Sequence, residues 1–261
     1  MNCVPKLRFK DDNSEDYPNW DSFPLGKIAN IKKGFTPSTN DSSYWGGELP
    51  WLSIADMKKG KYLFATTKSI TKKGSKQKKP VSKNSLIMSF KLTIGRLAIL
   101  GEDMYTNEAI CNFQWKNNLI ITEFMYYFLN SINILKYGSQ AAKGITLNND
   151  SLETIPVKIP SFEEQEKIAK FLSKVDEKVA ILESKHQLWN SYKKGIMQQI
   201  FSQKLRFEDE MGNNYSNWEE KTLGEVGVII TGNTPSTKNK NNFANGKYIW
   251  VTPTDIGNSR I

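Results

Sequence analysis

The chain has 261 residues and a formal net charge of +9, with 36 Lys or Arg against 27 Asp or Glu. It contains no apolar run of about 18 residues, and its first 30 residues hold no apolar segment of signal-peptide length. We therefore expect a soluble, cytoplasmic protein. The two cysteines, Cys3 and Cys111, have no CxxC spacing and no neighbouring histidine, which favours plain thiols in a reducing compartment.

Short apolar runs separated by Gly, Asn and Asp predict a mostly β body in the first part of the chain. The candidate strands are residues 85–90, 94–100 and 109–115. Residues 122–137 instead have the length and apolar spacing of a helix. Two segments, 34–47 and 72–80, have the composition of loops. Together these patterns predict an α+β fold.

Positive charge is concentrated in residues 57–101. This stretch contains twelve Lys or Arg and no Asp or Glu, whereas an ordinary soluble surface mixes both signs. Uncompensated charge of this kind indicates a polyanionic partner. A solvated basic surface is the alternative interpretation.

Contact with nucleic acid uses cations and small hydroxyl groups for phosphates, and Arg, Lys, Asn or Gln for base edges. The candidates for phosphate contact are Thr36, Ser38, Thr39, Lys72, Lys73, Ser75, Lys76, Lys78 and Lys79. The candidates for base contact are Lys91, Arg96, Gln140 and Lys143, each of which could equally bind phosphate or be a surface charge. Trp45 and Trp51 could contact DNA, but we interpret them as anchors of the core or of a loop.

A long amphipathic helix is predicted after Pro160. Ser161 and Glu164 have the spacing of a capping box. Ten positions then alternate by four and three residues, and eight are apolar, which predicts a coiled-coil seam on a helix of about 60 Å, ending near Gln203. The seam positions are Ile168, Leu172, Val175, Val179, Leu182, His186, Trp189, Lys193, Ile196 and Ile200. A single helix with a narrow seam is not stable alone, so we expect a second, antiparallel helix from another molecule.

Evidence for an enzyme is weak. The sequence has no P-loop or Rossmann glycine pattern and no Asn-Pro-Pro-aromatic tetrapeptide. Asp176, Glu177 and Lys178 have the composition of a nuclease metal site, but a helical seam explains them better. His186, the single histidine, falls on the seam, where a polar group that sets register is a better interpretation than a catalytic base.

The beginning of the chain recurs 198 positions later. The matching blocks are residues 6–9 with 204–207, 17–20 with 215–218, 25–26 with 223–224, and 36–39 with 234–237. Solenoid repeats run roughly 20–50 residues, so this offset indicates a duplicated domain with a connector.

Two runs carry a resemblance to a known family. Residues 155–168, Ile-Pro-Val-Lys-Ile-Pro-Ser-Phe-Glu-Glu-Gln-Glu-Lys-Ile, and residues 20–34 resemble the conserved boundaries of type I restriction-modification specificity subunits. The chain resembles a half-length member. The resemblance implies a target recognition domain over residues 1–158, a spacer helix over 159–205 and an incomplete second recognition domain over 206–261.

The resemblance also implies a function. The chain would be a non-catalytic subunit that recognises double-stranded DNA, and it would hold no cofactor itself. Modification subunits would bring S-adenosylmethionine and methylate adenine, and a restriction subunit would use ATP and Mg²⁺ to translocate and cleave. The long helix would pair with a second copy or with another specificity chain. The alternative is a regulatory or decoy fragment that pairs with intact subunits without forming a competent complex.

Overall fold

The computed structural model describes residues 7–91, 93–141, 144–244 and 246–256. The chain divides into two compact units, Met1–Ser191 and Tyr192–Ile261. The strands are β1 (Asp21–Pro24), β2 (Ala29–Lys33), β3 (Trp45–Leu52), β4 (Tyr62–Leu63), β5 (Lys68–Ile70), β6 (Leu86–Ser89), β7 (Leu97–Leu100), β8 (Tyr105–Thr106), β9 (Ile110–Trp115), β10 (Ser139–Ala141), β11 (Gly144–Thr146) and β12 (Pro156–Ile159). The helices are α1 (Leu25–Ile28), α2 (Lys72–Ser75), α3 (Thr122–Ser131), α4 (Asn149–Glu153), α5 (Phe162–Phe201), α6 (Leu223–Val226) and α7 (Pro253–Ile256).

A five-stranded sheet in the order β2-β9-β6-β7-β4 forms the centre of the first unit. All neighbours are antiparallel except β4 and β7, which are parallel. Every residue of β6 and β7 is buried, because both strands are covered on two faces and therefore read as continuous apolar runs. The three predicted strands are confirmed, with shorter bounds, and the predicted α+β fold is confirmed with them.

The two faces of the central sheet bury separate apolar clusters. One cluster includes Leu86, Met88 and Phe113 and extends to residues of α3, α4 and β12. The other includes Ile87 and Ile110 and lies under residues that precede β4. Cys111 belongs to the first cluster, where burial raises the pKa of its thiol to about 12, so the thiol is inert at neutral pH.

A second sheet, ordered β5-β3-β8, carries Trp45, from the predicted first loop, and Trp51, which follows that loop. Trp51 is buried and donates its indole N–H to the carbonyl of Phe35 at 2.9 Å. Trp45 donates to the carbonyl of Ser38 at 3.0 Å and packs edge-on against Trp51. Both residues therefore anchor the loop, as interpreted.

Three local predictions need correction. The helix predicted over 122–137 ends at Ser131, because the Asn133 side chain accepts from the N–H of Leu135 and starts a separate 3-10 turn. The loop predicted over 34–47 ends sooner, since β3 begins at Trp45. The loop predicted over 72–80 begins with the single helical turn α2.

The long helix α5 spans 40 residues, Phe162–Phe201, close to the predicted bounds. The Ser161 hydroxyl accepts from the N–H of Glu164 at 3.3 Å, which is one half of the predicted capping box. The second half of the predicted capping box, a bond from the Glu164 side chain back to the backbone of Ser161, is wrong. The Glu164 carboxylate is buried and accepts from Arg8 and from the indole N–H of Trp20, so it ties the chain's beginning to the helix.

The second unit contains short local structure. A loop over residues 206–217 is closed by backbone and side-chain hydrogen bonds, and α6 begins with a capping box of Thr222 and Glu225. No strand occurs among the described residues of this unit, 192–244 and 246–256. Its apolar side chains are largely exposed, including Ile229 and Ile249.

None of the helices in the described ranges combines the length and apolar character needed to cross a membrane. Within the same ranges, no group of three or more His, Cys, Asp or Glu side chains is arranged to hold a metal ion.

Candidate nucleic-acid interface

The acid-free stretch over residues 57–101 does not form one uniform surface. Lys61 is turned inward, with a side chain only 12% exposed, and its ammonium lies 4.5 Å from the ring centre of Tyr127. Burial lowers the pKa of this ammonium. Lys61 therefore has a structural role and does not contribute to the surface charge of the stretch.

The turn α2 presents three of the predicted phosphate contacts. The Thr71 hydroxyl caps it by accepting from the N–H of Gly74 at 3.0 Å. A Cβ at Gly74 would overlap the backbone of Tyr44, so the glycine permits the close approach. Lys72, Lys73 and Lys76 are exposed around this turn. Lys73 is the most engaged of the three, since its ammonium bonds to the Ser43 hydroxyl and lies 3.7 Å from Asp41.

A basic groove brings together lysines that are distant in sequence. It has a volume of about 420 Å³ and is lined by Lys32 and Lys33 on one wall and by Lys78 and Lys79 on the other. Lys78 lies 4.3 Å from the ring centre of Phe35. Lys33 and Lys91 both face the ring of Phe90, at 5.2 and 5.9 Å. We call Lys32, Lys33, Lys78, Lys79 and Lys91 the basic track.

The predicted hydroxyl contacts lie in different settings. Ser38 and Thr39 are exposed, while Thr36 is half-buried and accepts from the Asn107 amide at 3.1 Å. Ser75 is buried, and its hydroxyl donates to the Lys72 carbonyl at 2.7 Å. Ser75 therefore supports the α2 turn and does not face solvent.

The predicted base contacts are also dispersed. Lys91 is exposed on the basic track, but Arg96 is half-buried near the β6–β7 turn, where its backbone N–H donates to the Ser89 hydroxyl. For Gln140 only the backbone, in β10, is described. Lys143 lies outside the described residues.

Two polar clamps hold the first turns of α5 against the recognition domain. In the first, Arg8 forms hydrogen bonds of 2.9 and 2.7 Å with the Glu164 carboxylate, and these bonds raise the pKa of Arg8. Trp20 donates to the same carboxylate at 3.1 Å. Since Glu164 is buried and fully paired, the clamp fixes the start of the helix.

The second clamp lies three turns further along. Lys61 donates to the Tyr127 hydroxyl at 2.7 Å and to the Ser173 hydroxyl at 2.9 Å. Tyr127 donates in turn to Asp176 at 2.5 Å. Burial raises the pKa of the Tyr127 hydroxyl, and the bond to Asp176 adds to this shift, so the hydroxyl stays protonated as the donor.

Beyond the second clamp the predicted seam is exposed. Ile168 is half-buried and packs against the first apolar cluster, and Leu172 is half-buried. Val175, Val179, Leu182 and Trp189 are 43 to 59% exposed, and His186 is exposed among them. In the second unit, Ile196 and Ile200 are half-buried. An apolar stripe of this length calls for a covering surface.

Sequence reasoning missed several of these residues. Lys32 and Lys33 were not singled out, although Ala29, Asn30, Ile31 and Lys32 alternate between apolar and polar and Lys33 follows directly. Lys61 was counted with the surface cations, because nothing local shows that three tyrosines surround it. The pairing of Arg8 with Glu164 spans 156 positions and has no local signal.

The comparisons with known proteins agree on the class. The specificity subunit of the type I restriction enzyme MjaIX from Methanocaldococcus jannaschii is 25% identical over 262 residues, which cover 94% of this chain and 60% of the relative. Two solved structures share the fold at 18% identity. One, from a study of type I R-M complex assembly and conformational transition, has a TM-score of 0.58 and covers 74% of this chain and 47% of its own. The other, the S subunit from M. genitalium, has a TM-score of 0.52 and covers 80% and 50%.

These likenesses define the fold of a restriction-modification specificity subunit. The sequence pattern of the type I restriction modification DNA specificity domain matches residues 17–188. The chain belongs to that family, which confirms the resemblance read from residues 20–34 and 155–168. The chain spans 60% of the length of the Methanocaldococcus relative and about half of each solved structure.

Proposed function

We propose that the chain is the DNA-recognition subunit of a type I restriction-modification complex and that it has no catalytic role of its own. Partner modification subunits would supply S-adenosylmethionine and methylate adenine at the recognised site. A restriction subunit would supply ATP-driven translocation and Mg²⁺-dependent cleavage. Membership of the specificity family supports this assignment.

The observation that carries the proposal is the basic track. Four of its lysines, from β2 and from the segment after α2, line one groove. The fifth, Lys91, lies over the same Phe90 ring as Lys33. Of the groove-lining residues, none is an Asp or a Glu. Convergent cations without nearby acids are suited to the phosphates of a duplex.

Salt dependence tests the phosphate contacts. Each lost contact reduces the slope of log K against log salt concentration by about 0.9 for duplex DNA. Replacing Lys78 and Lys79 with Ala is expected to lower the slope by up to two such steps and to weaken binding to all sequences alike. The matched control is Lys178→Ala with Lys185→Ala, which removes two exposed lysines from α5. Equal slopes for both double variants would place the DNA elsewhere.

The α2 lysines provide a second arm of the same test. Replacing Lys72, Lys73 and Lys76 with Ala is expected to reduce the slope as well. The contribution of Lys73 is expected to be the smallest, because Asp41 and Ser43 already engage its ammonium. An unchanged slope for this triple variant would restrict the phosphate contacts to the basic track.

We propose further that α5 pairs with α5 of a second copy, running antiparallel, because a two-fold arrangement covers both exposed seams. Two copies of one recognition domain would then read the same half-site in opposite orientations. The methylated target would be an interrupted palindrome. Sequencing of methylated adenines after reconstitution with the modification subunit tests this. Two unrelated halves in the motif would instead support pairing with a different specificity chain.

The same reconstitution separates a competent subunit from a decoy. A competent subunit supports methyl transfer once the modification subunit is bound. A decoy binds the modification subunit or an intact specificity chain, but methyl transfer does not occur. Co-purification followed by a methylation assay distinguishes the two.

A further inference from the structure

One face of the central sheet changes from apolar to polar at its β2 edge. On this face Ile87 of β6 and Ile110 of β9 are fully buried. Moving outward, Ile87 lies opposite Asn112 of β9, and Asn112 lies opposite Lys32 of β2. Directly opposed residues of a ladder project to the same face. The apolar core therefore gives way to an amide and an amine within two strands.

A second polar pair lies beside the first. Asn30 of β2 is opposite Gln114 of β9, and each is two positions from the first pair along its strand. Residues two apart share a face, so Asn30, Lys32, Asn112 and Gln114 project together. We call these four residues the amide face. The intervening residues, Ile31 and Phe113, point into the core on the other side.

The amide face opens onto the basic groove. Lys32, Asn112 and Gln114 line it opposite Lys78 and Lys79. The Asn112 amide nitrogen donates to the carbonyl of Lys32 at 3.1 Å, which fixes the orientation of its side chain. Its carbonyl oxygen is buried and has no hydrogen-bond partner among the described residues. A buried acceptor without a partner is unfavourable unless a ligand donor or water completes it.

Asn30 and Gln114 are exposed, and their side chains make no hydrogen bond within the described part of the chain. Asn and Gln can accept from the amino group of adenine and donate to its ring nitrogen, and Lys can donate to the acceptors of guanine. The four side chains cover about 7 Å along the strands and about 5 Å across them. That span matches roughly two base-pair steps of about 3.4 Å each.

We infer that the amide face, including Lys32, is a base-reading surface, which contacts base edges of duplex DNA while the other four lysines of the basic track hold the flanking phosphates. The inference rests on the proposed DNA-recognition function. It assigns specificity to Asn30, Lys32, Asn112 and Gln114, and it assigns affinity to the neighbouring lysines. The two roles predict different responses to substitution.

The test uses the full chain and a library of duplexes with a randomised central window, from which bound DNA is selected and sequenced. The variants are Asn30→Ala and Gln114→Ala, since both residues are exposed and neither supports the core. Each is expected to lose preference for the parent base by about 5- to 100-fold at one or two positions. The salt slope is expected to stay unchanged, because neither variant removes a charge.

The matched control is Gln187→Ala, which removes an exposed glutamine from α5 and is expected to select the parent motif. An unaltered motif from both Asn30→Ala and Gln114→Ala would overturn the inference while leaving DNA recognition in place. Binding of the parent without any motif would also overturn it. If the parent binds no duplex at all, the proposed function itself fails.

Discussion

The two copies of the repeat adopt the same loop but differ in what surrounds it. In each copy an arginine donates to two backbone carbonyls nine and ten residues later, and an aspartate oxygen accepts from two N–H groups two and four residues later. The first copy uses Arg8 with Tyr17 and Pro18, and Asp11 with Asn13 and Glu15. The second uses Arg206 with Tyr215 and Ser216, and Asp209 with Met211 and Asn213.

The two copies differ at positions whose burial and strand pairing depend on residues far away in the sequence. Leu25 is fully buried, whereas Leu223 at the equivalent position is 73% exposed. In the first copy β2 pairs with β9, and β1 pairs with β12. The described residues of the second copy, 206–244 and 246–256, contain no counterpart of β9 or β12. The comparison shows that the loop is encoded by its own residues, while burial depends on strands supplied from far along the chain.

The largest difference in unfolding free energy between equivalent substitutions is expected for Arg8→Ala compared with Arg206→Ala. Removing Arg8 leaves the buried Glu164 carboxylate without its ion pair, which costs about 3–5 kcal/mol of unfolding free energy. Arg206 faces no carboxylate in the described residues, so its removal is expected to cost under about 0.5 kcal/mol. Urea unfolding followed by far-ultraviolet circular dichroism measures both.

Leu25→Ala against Leu223→Ala tests the core directly. A fully buried leucine cut to alanine typically costs about 2–5 kcal/mol, because a cavity remains. Leu223 is largely exposed, so the same change there is expected to have little effect on unfolding. Equal losses for the two variants would mean that Leu223 is buried in solution by a surface absent from the described residues.

Trp20→Phe against Trp218→Phe isolates one hydrogen bond. Phe keeps an aromatic ring but removes the indole N–H that donates to Glu164 at 3.1 Å, and bonds to charged groups contribute about 1.5–3 kcal/mol. Trp218 packs against Phe201, a contact that a phenylalanine can keep. The unfolding midpoint is expected to fall for the first variant only.

The smallest effect is expected from ending the chain after Gly212. The first unit already contains the recognition domain and the basic track, so its unfolding free energy and the salt slope of DNA binding are expected to remain unchanged. Analytical ultracentrifugation is expected to give the parent's association state. A weaker slope or lost association would assign the removed residues a role in binding.

The sequence predicted the elements that depend on local pattern. The strands at 85–90 and 109–115 and the long helix after Pro160 follow from apolar spacing, and the family follows from two short runs. The half-formed capping box could not be predicted, because Arg8 competes for Glu164 from 156 positions away. The inward orientation of the Lys61 side chain could not be predicted for the same reason, since its hydrogen-bond partners come from α3 and α5.

The candidate interface was predicted in part. The lysines of residues 72–79 were identified from charge alone, and their exposure agrees with that interpretation. Lys32 and Lys33 join them only through the pairing of β2 with β9 and the return of the chain after α2. A charge pattern in the sequence locates a basic segment. Which separate segments come together in space can be seen only from the three-dimensional fold.

The clamp of Lys61, Tyr127, Ser173 and Asp176 makes α5 a lever fixed at one end. From Asp176 to Ser191 the helix rises about 22 Å at 1.5 Å per residue. A tilt of about 10° at the clamp would therefore move Ser191 by roughly 4 Å, close to the 3.4 Å spacing of successive nucleotides on a DNA strand. In the antiparallel pairing proposed above, the angle of α5 would set the distance between the two recognition domains, and the Tyr127 hydroxyl would help to fix that angle through its bond to Asp176.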